Sequence, residues 1–414
     1  MSTLPQFILE AIEKAAEKCG YSGKGLDIQV EPCNKQDGFI GQLFRATLKR
    51  KGLPDKSLIC KIPPLCAARR EQFDTSLMFE REPWFYSRIL PEFERYQREK
   101  GIGEQDGFTA YAKSYVAHYE SMEHGTVLVL EDLISRGFRM AHKLVPLDYD
   151  HIKLAMVQLG RFHALSFAMK RDQPKLYQSL KVPNAILGMF RKNEYCRFLV
   201  SESLKLALEI PGLNDNERKL LIQLKDNVLQ ELERCLDVSE EEHFTAIIHS
   251  DFWINNCMFS YDEDNLRPKE LILIDWQLGC CAVPAVELVY LFYLCTDGDF
   301  RRKHFVEMID LYHQSLGDLL KKLGGNAEVD YPYEALQKHL KQVGRYGVMM
   351  GSFLVPAMCI ASEDLPNLDE SAARQVSSDQ YELPYKLDET SLPVYQKRML
   401  EVIRDAVQYG CFDV

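Results

Sequence analysis

The sequence predicts an α+β fold of two lobes, in which a small β-rich lobe with one helix precedes a larger, mostly helical lobe. Its 414 residues exceed the length of about 250–300 residues at which a single hydrophobic core stops growing. Short alternating apolar runs, typical of strands, occupy the first third of the chain, whereas most of the remainder has the period of helices. We therefore expect one lobe over residues 1–133 and the other over residues 134–414.

The small lobe is expected to begin with an amphipathic helix. Residues 1–19 place apolar side chains at helical spacing with charges between them, which does not match a signal peptide. A further helix is predicted at residues 73–90. Alternating apolar runs predict strands at residues 26–50 (a hairpin), 57–62, 107–119 and 126–130.

The larger lobe combines helices with one strand region. Helical periodicity predicts helices at residues 150–169, 193–208, 216–236, 301–323, 333–355 and 393–409. Between the third and fourth of these, apolar runs within residues 247–275 predict strand, loop, strand, turn and strand. The uncharged stretch at residues 346–361 is too short to cross a bilayer comfortably, so we interpret it as a buried helix.

One loop of this strand region carries the most specific motif of the chain. The segment His249-Ser-Asp-Phe-Trp-Ile-Asn-Asn256 is followed by Asp275 at the end of an apolar strand. Transfer of the γ-phosphoryl group of ATP needs a carboxylate for the proton of the attacking hydroxyl and oxygen ligands that hold Mg²⁺ against the phosphates. Asp251 matches the first need, and Asn256 and Asp275 match the second. An isolated Asp or Asn is usually a turn or cap residue, so the prediction depends on their joint occurrence.

Lys61 is a lone cation in the third predicted strand. Because burial of an unpaired ammonium is costly, Lys61 needs an anion. Glu82 lies in the next predicted helix, on the same side as Phe79 and Tyr86. A strand lysine held by a helix glutamate positions the phosphates of ATP in kinases. The alternative is that Glu82 is a surface residue and that Lys61 extends its ammonium to solvent.

Charge and cysteine content restrict the partners and the location. The net charge of −11 repels nucleic acid and anionic lipid, so we expect neither nucleic acid nor a membrane as a partner. Twelve cysteines without a Cys-x-x-Cys pair, in a chain without a signal peptide, indicate reduced thiols and a cytoplasmic protein. The oligomeric state stays open between monomer and dimer.

Taken together, Lys61, Glu82, Val129-Leu-Glu-Asp-Leu133, the motif at residues 249–256 and Ile274-Asp-Trp-Gln277 resemble the ecdysteroid kinase-like family. These small-molecule kinases belong to the choline kinase and aminoglycoside phosphotransferase group. The resemblance spans nearly the whole chain and implies a bilobal protein-kinase-like fold. It also implies ATP and Mg²⁺ as cofactors, and transfer to a hydroxyl of an ecdysteroid or of another alcohol-bearing metabolite or xenobiotic.

The resemblance assigns a role to each residue of these motifs. Asp251 would be the catalytic base, and Asn256 and Asp275 would be the Mg²⁺ ligands. Lys61, oriented by Glu82, would contact the phosphates of ATP. The ATP-binding hinge would consist of Glu131, Asp132 and Leu133.

Two residues depart from the family pattern without removing a reacting group. Ser250 stands where Gly is usual, next to the predicted base, and Glu287 stands where many relatives have Asp. Two histidines are expected to be structural. His163 lies in an apolar helix, which favours a hydrogen-bonded core histidine, and His249 is expected to brace the catalytic loop through its ring nitrogens.

The competing interpretation is a non-catalytic relative that binds nucleotide or a hydrophobic ligand. Such a protein would be expected to have lost one of the key groups, yet none is missing. A serine hydrolase is excluded because the chain has no Gly-x-Ser-x-Gly and because the adjacent residues 249–251 cannot converge as a triad. The acceptor is not identified by the sequence. The expected walls of its pocket are Trp253, Trp276 and residues 346–361, with the acidic segment 363–389 near its mouth.

Overall fold

The computed structural model describes residues 4–33, 41–72, 76–236, 242–264, 266–361, 364, 370 and 381–411. Five predicted features lie partly outside these residues. They are the first three residues of the helix at residues 1–19, residues 34–40 of the hairpin at residues 26–50, the start of the helix at residues 73–90, residue 265 of the turn between the two strands that follow the catalytic loop, and most of the acidic segment 363–389.

The small lobe is built on one antiparallel sheet with the strand order β1-β2-β3-β5-β4. Its strands are β1 (Asp27–Pro32), β2 (Gln42–Lys49), β3 (Lys56–Ile62), β4 (Ser114–His118) and β5 (Val127–Glu131). The helix α1 (Gln6–Lys18) packs on one face of this sheet, because Ile8 and Ile12 are fully buried in the same cluster as Val127 and Val129. Each such isoleucine contributes about 1.5–3 kcal/mol by its burial.

The opposite face of the sheet meets the helices that follow β3. Side chains alternate along a strand, so Leu128 and Leu130 turn away from α1 and join a second core with Phe85 and Tyr86. The described part of the predicted helix at residues 73–90 is segmented and continues past its expected end. It consists of α3 (Ser76–Trp84), a π turn (Phe85–Ile89) and α4 (Leu90–Glu99), and α2 (Ala67–Gln72) lies before it in the chain.

The larger lobe is mostly helical, as predicted, and the α+β fold class is confirmed. Its helices are α5 (Tyr149–Asp172), α6 (Pro174–Leu180), α7 (Ala185–Lys192), α8 (Glu194–Leu208), α9 (Asp215–Asp226), α10 (Val228–Leu236), α11 (Ala285–Cys295), α12 (Gly298–Lys322), α13 (Ala327–Asp330), α14 (Tyr333–Ala357) and α15 (Ser391–Gln408). The predicted helix at residues 216–236 is therefore two helices, which meet at the non-helical Asn227. Gly160 lets α5 approach α12, because a Cβ there would lie 2.6 Å from the carbonyl oxygen of Tyr312.

Short strands frame the predicted catalytic loop. They are β6 (Arg139–Met140), β7 (Ala246–Ile248), β8 (Cys257–Tyr261), β9 (Pro268–Leu273) and β10 (Cys280–Ala282). β8 pairs with β9, and β7 pairs with β10. The loop between β7 and β8 and the residues after β9 thus emerge at neighbouring strand ends, as the sequence predicts. In the described part of the chain, no helix is both long enough and apolar enough to cross a membrane.

Candidate active site

The catalytic loop is fastened to α11 through its backbone. Both side-chain oxygens of Glu287 are used: Oε2 accepts hydrogen bonds from the backbone N–H groups of His249, at 2.8 Å, and Ser250, at 3.0 Å. Oε1 lies 2.5 Å from Nε2 of His163, whose Nδ1 lies 2.8 Å from the hydroxyl of Tyr312. Glu287 and His163 are fully buried. His163 therefore has the structural role expected of it: it contacts Glu287, and Glu287 in turn binds the backbone of the catalytic loop.

Asp251 is held on both of its carboxylate oxygens. The hydroxyl of Tyr290 donates to Oδ1 at 2.7 Å, and Nδ2 of Asn256 donates to Oδ2 at 2.8 Å. Burial raises the pKa of Asp251 to about 6, and the nearby Asp275 acts in the same direction, whereas the two hydrogen bonds lower it. The carboxylate is therefore mostly ionised at neutral pH and able to accept a further hydrogen bond.

The ring of His249 connects the catalytic loop to the end of the segment that precedes Asp275. Its Nε2 lies 2.9 Å from the carbonyl oxygen of Ile274, and its Nδ1 lies 3.3 Å from the backbone nitrogen of Asp251. One tautomer satisfies both contacts, with Nε2 donating to the carbonyl and Nδ1 accepting from the backbone. Burial lowers the pKa of His249, which favours this neutral form. The bracing role expected from the sequence matches these contacts.

Lys61 connects the small lobe to the residues after β9. Its Nζ lies 2.7 Å from a carboxylate oxygen of Glu82 and 2.7 Å from Oδ1 of Asp275. Burial opposes the charge of Lys61, but the carboxylates of Asp275 and Glu82 outweigh it and raise the pKa of the ammonium. The side chain of Glu82 is only 3% exposed, so the alternative of a surface glutamate is wrong.

Asp275 and Ser250 both occupy left-handed backbone conformations. Asp275 has φ 66° and Ser250 has φ 69°. Aspartate tolerates this conformation better than most residues, whereas serine gains no comparable relief and glycine is the usual choice. A glycine at position 250 would adopt this conformation without the strain that the serine side chain brings. The side chain of Asp275 is 24% exposed, so it is open to a ligand despite its bond to Lys61.

Two oxygens of this site are suited to a magnesium ion. Nδ2 of Asn256 donates to the main-chain oxygen of Asp251, at 2.9 Å, as well as to its carboxylate. This fixes the orientation of the amide, so its oxygen is the atom of Asn256 that could serve as a ligand to a cation. The described residues contain no group of three His, Cys, Asp or Glu side chains arranged to hold a metal. Two protein ligands suffice for Mg²⁺ beside a nucleotide, because this ion keeps several waters and binds substrate phosphates.

The side chains of the predicted hinge are engaged within the protein. Asp132 is buried and accepts hydrogen bonds from Ser57 at 2.6 Å and Arg45 at 3.0 Å. Glu131 accepts from Arg136 at 3.0 Å, and Leu133 is buried. Any contact of this segment with a nucleotide would therefore involve the backbone rather than the carboxylates.

The expected acceptor walls are only partly suited to that role. Trp276 is fully buried and packs against Phe85, with ring centroids 5.4 Å apart, and against Phe162, at 5.2 Å. It is a core residue between the lobes and does not border an open pocket. Trp253 is also buried, with 5% of its surface exposed. The sequence reasoning missed Tyr290, although its spacing of three residues from Glu287 would have placed both on one face of a helix.

Comparison with known proteins identifies the family of the chain. The sequence profile of the ecdysteroid kinase-like family matches residues 35–325, more than half of the chain. No curated protein matches the chain. Among solved structures, a GDP complex of a mutant aminoglycoside 2′-phosphotransferase IIIa is similar to it, with 12% sequence identity, a TM-score of 0.43 and coverage of 97% of each chain. The family match supports kinase-type activity on a small molecule. It includes Lys61, Asp251 and Asp275, and on this evidence the chain belongs to the ecdysteroid kinase-like family.

Proposed function

We propose that this protein is an ATP- and Mg²⁺-dependent kinase that phosphorylates a hydroxyl group of an ecdysteroid or of another alcohol-bearing metabolite or xenobiotic. The observation that carries the proposal is the connected set of charged groups between the lobes. Lys61 bridges Glu82 and Asp275 at 2.7 Å each. Beside them, Asn256 is hydrogen-bonded to Asp251.

Each residue has a defined task in this reaction. Asp251 accepts a hydrogen bond from the acceptor hydroxyl and takes its proton as the oxygen attacks the γ-phosphorus in line with the leaving group. Lys61 donates to phosphate oxygens and is kept in place by Glu82. Asn256 and Asp275 would hold Mg²⁺, which neutralises charge on the phosphates when it is bound. The backbone of residues 131–133 is the proposed contact for the adenine edge.

Local charge explains why a cation belongs to this proposal. Glu82 and Asp275 both contact the ammonium of Lys61, and Asp251 is close enough to interact electrostatically with Asp275 and Lys61, in a protein with a net charge of −11. A free nucleotide brings further negative charge, and the unfavourable interaction is strong because much of this site is buried. Asp275 and Asn256 would hold a divalent cation here, and its charge would offset this repulsion. A cytoplasmic location is part of the same proposal, supported by buried free thiols such as Cys257 and Cys280.

The direct test is incubation with Mg-ATP and a panel of ecdysteroids, choline and hydroxylated plant or drug compounds, with phosphorylated products identified by mass. The Asp251→Asn variant should lose roughly 10²–10⁴ in rate but retain Mg-ATP binding. Asp299→Asn is the matched control, because that side chain is 86% exposed and lies on the surface of α12. If no acceptor gains a phosphate and nucleotide stabilises the protein equally with and without Mg²⁺, the non-catalytic binding protein is the better description.

A further inference from the structure

Tyr290 makes a buried contact with the predicted base that none of the sequence motifs includes. It lies on α11, and its hydroxyl donates to Oδ1 of Asp251 at 2.7 Å. Its side chain is buried, with 3% of its surface exposed. The ring stacks on Tyr346 of α14, with centroids 6.2 Å apart and an interplanar angle of 24°. Packing on that side fixes the direction in which the phenol points.

The same helix face holds the catalytic loop at two successive places. Glu287 and Tyr290 are three residues apart on α11, so their side chains lie on one face. Glu287 binds the backbone of residues 249 and 250, and Tyr290 binds the side chain of the next residue, Asp251. The position of the loop backbone and the position of the Asp251 carboxylate are therefore both fixed by the same helix, α11. Asn256 fixes the other oxygen of Asp251.

The hydrogen bond leaves room for the acceptor. An ionised carboxylate offers about four lone-pair sites on its two oxygens. Tyr290 takes one site on Oδ1, so a second lone pair on that oxygen can accept a further hydrogen bond. Burial, and then the charge of Asp251, raise the pKa of Tyr290 well above its ordinary range, so the phenol stays a donor.

We propose that Tyr290 is a positioning residue for phosphoryl transfer, whose hydroxyl fixes the Asp251 carboxylate in the orientation that meets the acceptor hydroxyl. The inference rests on the proposed kinase function and adds a residue to it. Orientation of reacting groups contributes strongly to rate, and a misplacement of about 1 Å can cost about 10²-fold. Loss of one of the two hydrogen bonds that hold the carboxylate should therefore reduce turnover without changing the nucleotide site.

The test is the Tyr290→Phe variant, which keeps the ring and removes only the hydroxyl. We expect kcat to fall about tenfold, while the KM for Mg-ATP stays within about twofold of the parent. The matched control is Tyr293→Phe on the same helix, because that hydroxyl contacts Sγ of Cys411, at 3.9 Å, and no residue of the catalytic loop among those that the structure describes. This control should turn over like the parent.

A double-mutant cycle distinguishes positioning from general loosening of the fold. If Tyr290 acts through Asp251, the Tyr290→Phe change should have little further effect on the residual rate of Asp251→Asn. An equal factor in both backgrounds would assign Tyr290 a purely structural role and overturn the inference. So would a Tyr290→Phe enzyme with parental kcat. If the parent itself phosphorylates no acceptor, the proposed function fails first, and this inference fails with it.

Discussion

Removal of the Glu287 carboxylate should destabilise this protein more than most single substitutions do. In the Glu287→Ala variant, the backbone N–H groups of His249 and Ser250 and the Nε2 of His163 lose their partner. All three lie at buried residues. Each buried polar group left without a partner costs about 1–3 kcal/mol, so the loss should be at least about 3 kcal/mol. Against a total stability of about 5–15 kcal/mol, that is a large fraction.

Glu287→Gln separates hydrogen bonding from charge. The amide oxygen can still accept from both backbone N–H groups, and its NH₂ group can donate to His163 if that ring adopts the other tautomer and donates to Tyr312. Because charge-assisted hydrogen bonds are about twice as strong as neutral ones, we expect this variant to lose only about 1 kcal/mol. Glu287→Asp should fall between the two because its shorter side chain cannot reach both the loop and His163.

The assay is equilibrium unfolding in urea, followed by fluorescence, for the three variants and the parent. Glu263→Ala is the control, because that side chain is exposed in the turn between β8 and β9 and should change the stability by no more than about 0.5 kcal/mol. If Glu287→Ala unfolds within about 1 kcal/mol of the parent, the reasoning is refuted, since the loop would not depend on this carboxylate. If the Glu287→Ala variant is insoluble, the other two variants still test the reasoning, because Glu287→Gln should be more stable than Glu287→Asp.

Three further outcomes are expected at the nucleotide site. Asp275→Ala should weaken Mg-ATP binding, measured by calorimetry, because a charged ligand is lost; binding as tight as in the parent would place the metal elsewhere. Lys61→Met should raise the KM for ATP and Glu82→Gln should have a milder effect, and a double-mutant cycle should show coupling, whereas strictly additive effects on kcat/KM would contradict the ion pair at 2.7 Å. ATP at a hundredfold excess over its Kd should stabilise the protein by about 2.7 kcal/mol. That thermal shift should depend on Mg²⁺ in the parent and lose this dependence in Asp275→Ala.

The sequence predicts those parts of the site in which a polar or charged residue stands within or beside an apolar segment. Lys61 stands alone in a buried strand, so the need for a carboxylate followed from the cost of an unpaired charge. Asp251, Asn256 and Asp275 lie at the ends of apolar strands, where neither turn nor core chemistry explains all three. The α+β class followed in the same way from the change of apolar period along the chain.

Other features depend on contacts between distant segments and leave no local pattern. The bond between Lys61 and Asp275 joins residues 214 positions apart, and no periodicity could have indicated it. Trp276 was expected at a pocket wall because aromatic residues often line ligand sites, but the packing of both lobes around it made it core. Asp132 was expected to belong to the nucleotide site, but its carboxylate is buried and accepts hydrogen bonds from Arg45 and Ser57.

The position of Lys61 between two carboxylates has a consequence for movement of the lobes. Lys61 and Glu82 belong to the sheet and helices of the small lobe, whereas Asp275 belongs to the catalytic region. If the cleft widens, the ion pair with Asp275 stretches and breaks, while the pair with Glu82 travels with the lysine. The ammonium then keeps the side chain of Glu82 beside it while its distance to Asp275 grows. The Glu82 partnership thus makes cleft opening less costly than it would be for a lysine with a single acidic partner across the gap.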